Sequence, residues 1–225
     1  MLLTAFGAFL GALLSILASI YIEFKRKPKL HLEIEDPPSD RTFSPPQPRN
    51  ARFVRVQLCN DPMPRPLRWL GREAAMHCNG HIQFHHFADG APVFSKPMPI
   101  RWAGSDEPLS FYPMPSGPPV SMLDQAKYNA AFYRNCYPGT SEPIDVAARF
   151  DDDEECYGWS NESYIRGKGW RNPDWRLQKE RYLVTVTVLS SGETVSSVFQ
   201  LENSVGRLDF RLMPASDEDR DRVAQ

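Results

Sequence analysis

Hydrophobic and polar residues alternate with period two over much of the chain after Pro28, which predicts short β-strands. Leu30, Leu32 and Ile34 begin this pattern. The strongest alternation lies in 181–192 and 194–203, which a Ser-Gly-Glu turn separates, so these two segments are predicted to form a hairpin. The same pattern predicts further strands at 51–60, 76–87, 97–103, 144–150 and 207–213.

The alternation also predicts which side chains face inward. The expected inward groups are Tyr182, Val184, Val186 and Val188; Val146, Ala148 and Phe150; and Leu208, Phe210 and Leu212. Proline-rich or irregular loops are predicted at 36–50, 104–144 and 151–180, with one helical window at 121–135. The polar end, 215–225, is expected to fray. Seven or eight strands over 30–214 predict a mainly β fold of the β-sandwich class.

Residues 1–24 follow a different pattern, because no charged side chain occurs from Met1 to Ile22. About 20 apolar residues are enough to span a bilayer, so a transmembrane helix is predicted. A cleaved signal peptide would have a basic start, a shorter apolar core and small residues at its exit. Four basic residues follow in 25–29, and this charge asymmetry places the C-terminal side in the cytoplasm: Lys25, Arg26, Lys27 and Lys29.

Small residues recur at every fourth position of this predicted helix, at Gly7, Gly11, Ser15 and Ser19. A stripe of this kind lets a second helix approach closely. One interpretation is a homodimer through the helix; the other is that glycine and serine are simply common in membrane helices.

Net charge and cysteine usage narrow the partners and the compartment. The net charge of −2 argues against recruitment of nucleic acid by a general basic field. The four cysteines, Cys59, Cys78, Cys136 and Cys156, form no CxxC pair and would stay reduced in the cytosol. Their even number leaves open an exported, envelope-anchored binding or adhesion module with disulfides.

Two stretches resemble a known kind of module. VRVQLCN, followed by AAMHCNGHIQF, resembles the opening of immunoglobulin-like domains of the CARDB and fibronectin-III-like type. The matching positions are Val54, Val56, Asn60 and Ala74 or Ala75. The chain is also similar to uncharacterised prokaryotic proteins with one N-terminal anchor and a β-rich domain. The resemblance implies an immunoglobulin-like β-sandwich that binds or scaffolds rather than catalyses.

The segment 154–177 is the candidate binding site, because it concentrates aromatic and basic side chains that dominate protein interfaces. The candidate residues are Trp159, Tyr164, Arg166, Lys168, Trp170, Arg171, Trp175 and Arg176. One interpretation is a recognition loop for a protein partner, with glycan stacking or contact with an anionic headgroup as variants. The interpretation that we favour is a structural cover over the open end of the sandwich, with arginines stacked on tryptophans and pairing with the acidic run 151–155.

Candidate chemistry is sparse, so we expect a non-enzymatic protein without a cofactor or metal. Four of the five histidines lie in 77–86, which keeps a metal-dependent hydrolase as an alternative. On a strand, however, His81 and His85 are about 13 Å apart, too far for one metal. These histidines are instead expected on the solvent face. The acidic run 151–155 has no glycine where a calcium loop needs one.

Overall fold

The chain is mainly β, with antiparallel sheets, in a computed structural model that describes residues 2–43, 49–114, 116–117, 120–204 and 206–224. Three α-helices of the described residues accompany the strands: α1 (Leu2–Arg26), α2 (Gln125–Ala130) and α3 (Asp217–Val223). Short 3₁₀ turns lie at Arg65–Leu70, Asn161–Tyr164, Lys168–Trp170, Pro173–Trp175 and Arg207–Asp209.

The first sheet contains seven strands within the described ranges. They are β1 (Leu30–Ile34), β2 (Ser39–Phe43), β3 (Arg49–Asn60), β6 (Arg101–Trp102), β10 (Ser141–Phe150), β11 (Cys156–Gly158) and β12 (Arg176–Leu177). Their main order is β1-β3-β10-β11-β12, with β2 paired to β3 and β6 paired to β10.

The second sheet contains six strands of the described chain. They are β4 (Ala75–His86), β5 (Met98–Pro99), β9 (Arg134–Cys136), β13 (Arg181–Leu189), β14 (Thr194–Glu202) and β15 (Arg211–Pro214). Their main order is β15-β14-β13-β4-β5, with β9 paired to β4. A separate hairpin joins β7 (Leu109–Tyr112) to β8 (Val120–Leu123).

One core lies between the two large sheets. Val54 and Val56 of the first sheet are buried in the same cluster as Val184 and Val186 of the second. The inward residues predicted for 181–189 are therefore confirmed, and so is the hairpin of β13 with β14. Burial of apolar side chains from both sheets contributes roughly 25 cal/mol per Å² removed from water, which makes this cluster the main source of stability.

A β-bulge in β10 changes the predicted pattern of 144–150. The pairing with β3 shifts between Asp145 and Ala147, so Val146 faces the main core. Ala148 and Phe150 instead belong to a second cluster with Phe53 on the opposite face of the first sheet. The prediction that Val146, Ala148 and Phe150 share one face is wrong, because an inserted residue reverses the alternation beyond it.

Two of the predicted loops contain strands. Loop 36–50 holds β2 and the start of β3, while its residues 44–48 lie outside the described part. Loop 104–144 contains β7, β8, β9 and the first residues of β10.

The helix predicted over 121–135 is shorter: α2 spans Gln125–Ala130, and Asp124 caps it by accepting hydrogen bonds from the amides of Ala126 and Lys127. The predicted strand 97–103 is divided between β5 and β6, in different sheets.

The C-terminal end is also more ordered than the polar sequence predicts. Residues 217–223 form α3, which opens with a capping box between Ser216 and Asp219, and Arg222 donates to the carbonyl of Phe87 at 3.0 Å.

Within 207–213, Leu208 lies in a 3₁₀ turn and is exposed, whereas Phe210 and Leu212 are buried. The prediction of one inward face for these three residues is therefore wrong at Leu208.

Helix α1 presents its large apolar side chains to its surroundings. Ten of them in the described part are 42–68% exposed: Phe6, Phe9, Leu10, Leu13, Leu14, Ile16, Leu17, Ile20, Tyr21 and Phe24. Among the helices of the described residues, none meets the combined length and hydropathy that a membrane span requires.

Candidate functional site

The segment 154–177 covers the outer face of the first sheet. Trp159 is fully buried and packs edge-on against Phe53, with ring centroids 4.9 Å apart. Tyr164 packs against Trp159 at 5.5 Å, and Trp170 lies against Tyr164 at 6.1 Å. The cover therefore lies on a sheet face and not, as the sequence led us to expect, over the open end of the sandwich.

Trp175 packs in the main core between the sheets and not in the cluster that contains Trp159. It is buried in the main core and its ring packs edge-on against Phe94 at 5.1 Å. Its indole nitrogen donates to the carboxylate of Glu162 at 3.0 Å, and the Lys96 ammonium lies 5.3 Å from the ring centroid. This contact joins the segment to the core, because Glu162 belongs to the 3₁₀ turn that follows Trp159.

Local sequence explains how the segment folds into turns. Ser160 forms a capping box with Ser163 at the start of the first turn, and Asn172 accepts a hydrogen bond from the amide of Asp174 at 3.0 Å. Gly167 has a φ of +80°, a conformation that glycine adopts at little cost. A Cβ at this position would collide with the backbone carbonyl of Arg171, so the tight turn requires glycine.

The three arginines of the segment are paired within the chain. Arg171 forms ion pairs with Asp152 and Asp153, and Arg176 pairs with Glu155. Arg166 pairs with Asp174, and hydrogen bonding to this carboxylate raises the pKa of Arg166. The expected pairing between the acidic run 151–155 and the basic side chains is present. The Arg166–Asp174 pair is exposed on both sides, and such a pair contributes little to stability.

The structure divides the predicted binding residues by accessibility. Trp159, Tyr164 and Trp175 are buried, so they offer a partner no free surface in this conformation. Arg166 and Arg176 are exposed, whereas Trp170 and Arg171 are partly buried. The side chain of Lys168 lies outside the described part. Recognition by this segment stays a prediction, now limited to its outer residues.

A buried charge cluster lies beneath the aromatic cover. Arg55 donates from Nε to Oδ1 of Asp145 at 2.6 Å, and from Nη1 to Glu35 at 3.3 Å. Arg101 is fully buried, lies 3.9 Å from the other oxygen of Asp145, and donates to the side chain of Asn161. Two guanidinium groups thus share one buried carboxylate.

The same cluster connects to the cover through Tyr164. The Arg101 guanidinium carbon lies 4.9 Å from the Tyr164 ring centroid, a cation–π contact in a desolvated setting. Burial raises the pKa of Tyr164 to about 12, although the Arg101 charge acts in the opposite direction. Strand alternation alone gives no signal that Arg55, Arg101 and Asp145 are all buried, so the sequence does not predict this cluster.

The histidine-rich strand β4 does not follow the predicted solvent face throughout. His85 is buried, with Nδ1 2.9 Å from the carbonyl oxygen of Gly90 and Nε2 3.4 Å from the hydroxyl of Thr185. Cys78, Ile82 and Phe84 keep the predicted inward face, so His85 is buried because Gly90 and Pro92 lie against it on the other face. Within the described residues, no histidine of 77–86 joins a group of three candidate metal ligands.

The end of α1 is attached to the domain. The amide of Glu73 donates to the carbonyl of Arg26 at 2.7 Å, and the Arg72 guanidinium donates to the carbonyl of Lys27 at 2.7 Å.

Lys29 forms an ion pair with Asp61 at 3.0 Å. Lys25 is the remaining basic residue of the predicted orientation signal, and it lies over the ring of Tyr21 at 5.4 Å.

The small-residue stripe of α1 is open in the described part. A Cβ at Gly11 would meet no atom within 4 Å, and Ser15 and Ser19 are exposed. The surroundings of Gly7 lie outside the described part. Taken together, the geometry offers an exposed apolar helix, a basic junction and a β domain with a buried core. No family model, curated protein or solved structure matches this chain.

Proposed function

We propose that this protein is a membrane-tethered, non-enzymatic interaction or scaffold module whose folded part is an immunoglobulin-like β-sandwich. The whole uncharged stretch of the sequence, Met1 to Ile22, serves as the single-pass anchor. The basic residues that follow it keep the domain in the cytoplasm. The partner is a protein of unknown identity.

Strand pairing supports the immunoglobulin-like assignment. In chain order, β1, β3, β4, β10, β13 and β14 correspond to strands A, B, C, E, F and G of that fold. The pairs β1–β3 and β3–β10 reproduce A–B and B–E in one sheet, and β4–β13 and β13–β14 reproduce C–F and F–G in the other. The chain differs from antibody domains in two positions of the fold: β4 has no tryptophan and β13 has no cysteine.

The observation that supports the membrane tether is the difference between the exposed apolar part of α1 and its C-terminal end, which is bonded to the domain. Ten large apolar side chains between Phe6 and Phe24 are exposed, while Arg26 and Lys27 at its C-terminal end accept hydrogen bonds from Glu73 and Arg72 of the domain. Such extensive apolar exposure is rare on a surface that faces water and marks a surface for lipid or protein.

The junction between α1 and the domain suits the surface of an anionic membrane. Trp69 is 77% exposed on the 3₁₀ turn Arg65–Leu70, beside Arg65, Arg68 and Arg72 in the sequence. Tryptophan and basic side chains both favour the headgroup layer. A cleft of about 660 Å³ adjoins the end of α1, and Lys25, Lys27, Lys29 and Arg72 contribute to its lining together with Glu73 and Glu193.

Membrane fractionation tests the tether. Wild-type protein is expected to stay in the membrane pellet after alkaline carbonate extraction. The double variant Leu14→Arg, Leu17→Arg is expected to move to the supernatant, because both side chains are exposed on α1 and the charges make burial in lipid unfavourable. Wild-type protein in the supernatant would contradict the proposal.

Reporter fusions after Gln225 separate the cytoplasmic module from the exported alternative. A fluorescent, phosphatase-inactive fusion is expected for a cytoplasmic domain. An active alkaline phosphatase fusion would support the exported adhesion module. All four cysteines are free thiols in the structure, and three of them are buried.

A pull-down tests the partner surface. Trp170→Ala is the suitable variant, because Trp170 is only partly buried, whereas truncation of Trp175 would open the core. Trp69→Ala serves as a control for the loss of an exposed tryptophan elsewhere. Retention of every partner by a folded Trp170→Ala variant would exclude this segment as the recognition surface.

A further inference from the structure

Three potential metal ligands meet on the outward face of the β1–β3 pair. His31 lies directly opposite Cys59 in the antiparallel register, and Glu33 lies two residues beyond His31 on the same face of β1. A ligand atom of each of the three side chains lies within 4.8 Å of those of the other two. The convergence follows from strand pairing, because opposite and alternate positions of a sheet share one face.

We propose that His31, Glu33 and Cys59 bind a zinc ion. Nε2 of His31 lies 2.9 Å from Oε1 of Glu33, and Sγ of Cys59 lies 3.9 Å from Oε2 of the same carboxylate. Ligands of a tetrahedral zinc ion, with bonds of about 2.0–2.3 Å, lie roughly 3.3–3.8 Å from one another. Small side-chain rotations therefore suffice to place all three atoms around one ion.

The donor set selects the metal. A thiolate and an imidazole favour zinc over calcium or magnesium, which prefer oxygen ligands. The carboxylate of Glu33 is a common third ligand of zinc. With the thiolate and the carboxylate ionised, the two negative charges neutralise the ion. Because the Glu33 side chain is 62% exposed, the fourth position faces solvent and takes a water molecule.

A neighbouring carboxylate orients the histidine. Nδ1 of His31 lies 3.4 Å from Oδ1 of Asp61, on the side of the ring opposite to the metal-facing Nε2. A carboxylate at this position accepts a hydrogen bond from Nδ1–H and leaves the Nε2 lone pair for the metal. Oδ2 of Asp61 pairs with Lys29 at 3.0 Å, so this carboxylate is itself held in place.

The backbone around the site is fixed by Asn60. Its side chain accepts from the amide of Lys29 at 3.1 Å and donates to the carbonyls of Glu73 and Cys136, both at 3.1 Å. The amide of Asp61 also donates to the carbonyl of Lys29 at 3.0 Å. These contacts hold β1 and β3 in register beside the three ligands, which is the support that a preorganised metal site needs.

Metal titration of the full-length chain in detergent tests the site. After removal of metal, zinc is added against a chromophoric chelator, and Co²⁺ is added in a parallel experiment. The expected result is one equivalent of zinc per chain and a thiolate-to-cobalt charge-transfer band. Cys59→Ser is expected to abolish the band and weaken zinc binding, and Asp61→Asn is expected to weaken it by about 10–100-fold.

His81→Gln is the matched control, because it removes a partly exposed histidine from the outward side of β4 without touching the site. It is expected to bind zinc like the wild type. Absence of the cobalt band in wild-type protein, or equal zinc affinity of wild type and Cys59→Ser, would overturn the proposal. Thermal melting of each variant without metal verifies folding, so that lost binding is separated from lost structure.

Discussion

Arg55 donates a hydrogen bond of 2.6 Å to Asp145 across neighbouring strands of the first sheet, with the arginine nearly and the aspartate completely withdrawn from solvent. The second oxygen of Asp145 faces Arg101 at 3.9 Å. Burying two charges costs free energy. Their mutual attraction offsets this cost only while both partners are present. Asp145 is therefore the centre of the polar layer beneath the aromatic cover.

Asp145→Asn is expected to destabilise the protein by about 3–5 kcal/mol, because it leaves two buried guanidinium groups without their common carboxylate. The measurement is urea unfolding of the full chain in detergent. Asp152→Asn is the control, since it removes an exposed partner of Arg171 and is expected to cost less than about 1 kcal/mol. Equal losses in the two variants would contradict the assigned role.

Trp159→Ala is expected to cost about 3–5 kcal/mol, because it empties the centre of the aromatic cluster on the outer face of the first sheet. Trp69→Ala removes the same side chain from an exposed turn and is expected to change stability by less than about 0.5 kcal/mol. Thermal melting compares the two. A small shift for Trp159→Ala would mean that the segment does not act as a cover.

The sequence predicts the fold where alternation is regular. In β13, Val184, Val186 and Val188 are buried as their spacing predicts, and the turn before β14 has the expected position. Here the side chains of one face enter the main core, so their burial follows the period of the strand, although Leu183 on the other face is also buried.

Prediction fails where the first sheet is buried on both faces. Phe53 occupies a position that the period assigns to the polar side of β3, yet it is fully buried under Trp159. The bulge at Val146 then reverses the alternation in β10. Neither feature is local, because the covering segment comes from residues about 100 positions later in the chain than Phe53.

For the candidate sites as well, the sequence predicts local features but not the contacts between distant segments. The concentration of tryptophans identified the segment 154–177 as a cover, but not which tryptophan enters which core. The ligand trio of His31, Glu33 and Cys59 depends on the register of β1 with β3, which the sequence does not specify. The short polar strand β2 lies in a proline-rich region and depends on pairing with β3 for its conformation.

Stability is expected to fall at alkaline pH because of Tyr164. Its pKa is raised by burial to about 12 in the folded protein, against a reference value of 10.0. The folded state therefore keeps a proton that the unfolded chain releases, so the contribution to stability is complete below about pH 10 and disappears as the pH rises to about 12. The maximum loss is about 2–3 kcal/mol.

Tyr164→Phe isolates this effect. No hydrogen-bond partner of the Tyr164 hydroxyl is present among the described residues, so its removal is expected to change stability near neutral pH by less than about 1 kcal/mol. Urea unfolding at several pH values between about 8 and 11 is expected to show a shallower decline in the variant. Parallel curves for the variant and the wild type would contradict the assignment to Tyr164.

Ser216→Ala is expected to cost about 1 kcal/mol through loss of the cap of α3. The Ser216 hydroxyl accepts from the amide of Asp219 at 3.2 Å, and Asp219 accepts from the amide of Ser216 at 3.0 Å. Asp221→Ala, at an exposed position of the same helix, is expected to change stability by less than about 0.5 kcal/mol. An unaffected urea midpoint in Ser216→Ala would indicate that α3 frays as its sequence predicts.

Gly11→Leu is expected to reduce crosslinking of the full-length protein in membranes if the proposed anchor also forms a homodimer. Within one chain, a Cβ at Gly11 meets no atom within 4 Å, so the larger side chain causes no clash inside the protein. Between two helices, however, it fills the groove that a small residue keeps open. Ala12→Leu adds a similar apolar volume about 100° around the helix and is expected to leave the dimer yield unchanged. Equal yields in wild type, Gly11→Leu and Ala12→Leu would exclude a dimer interface along the stripe.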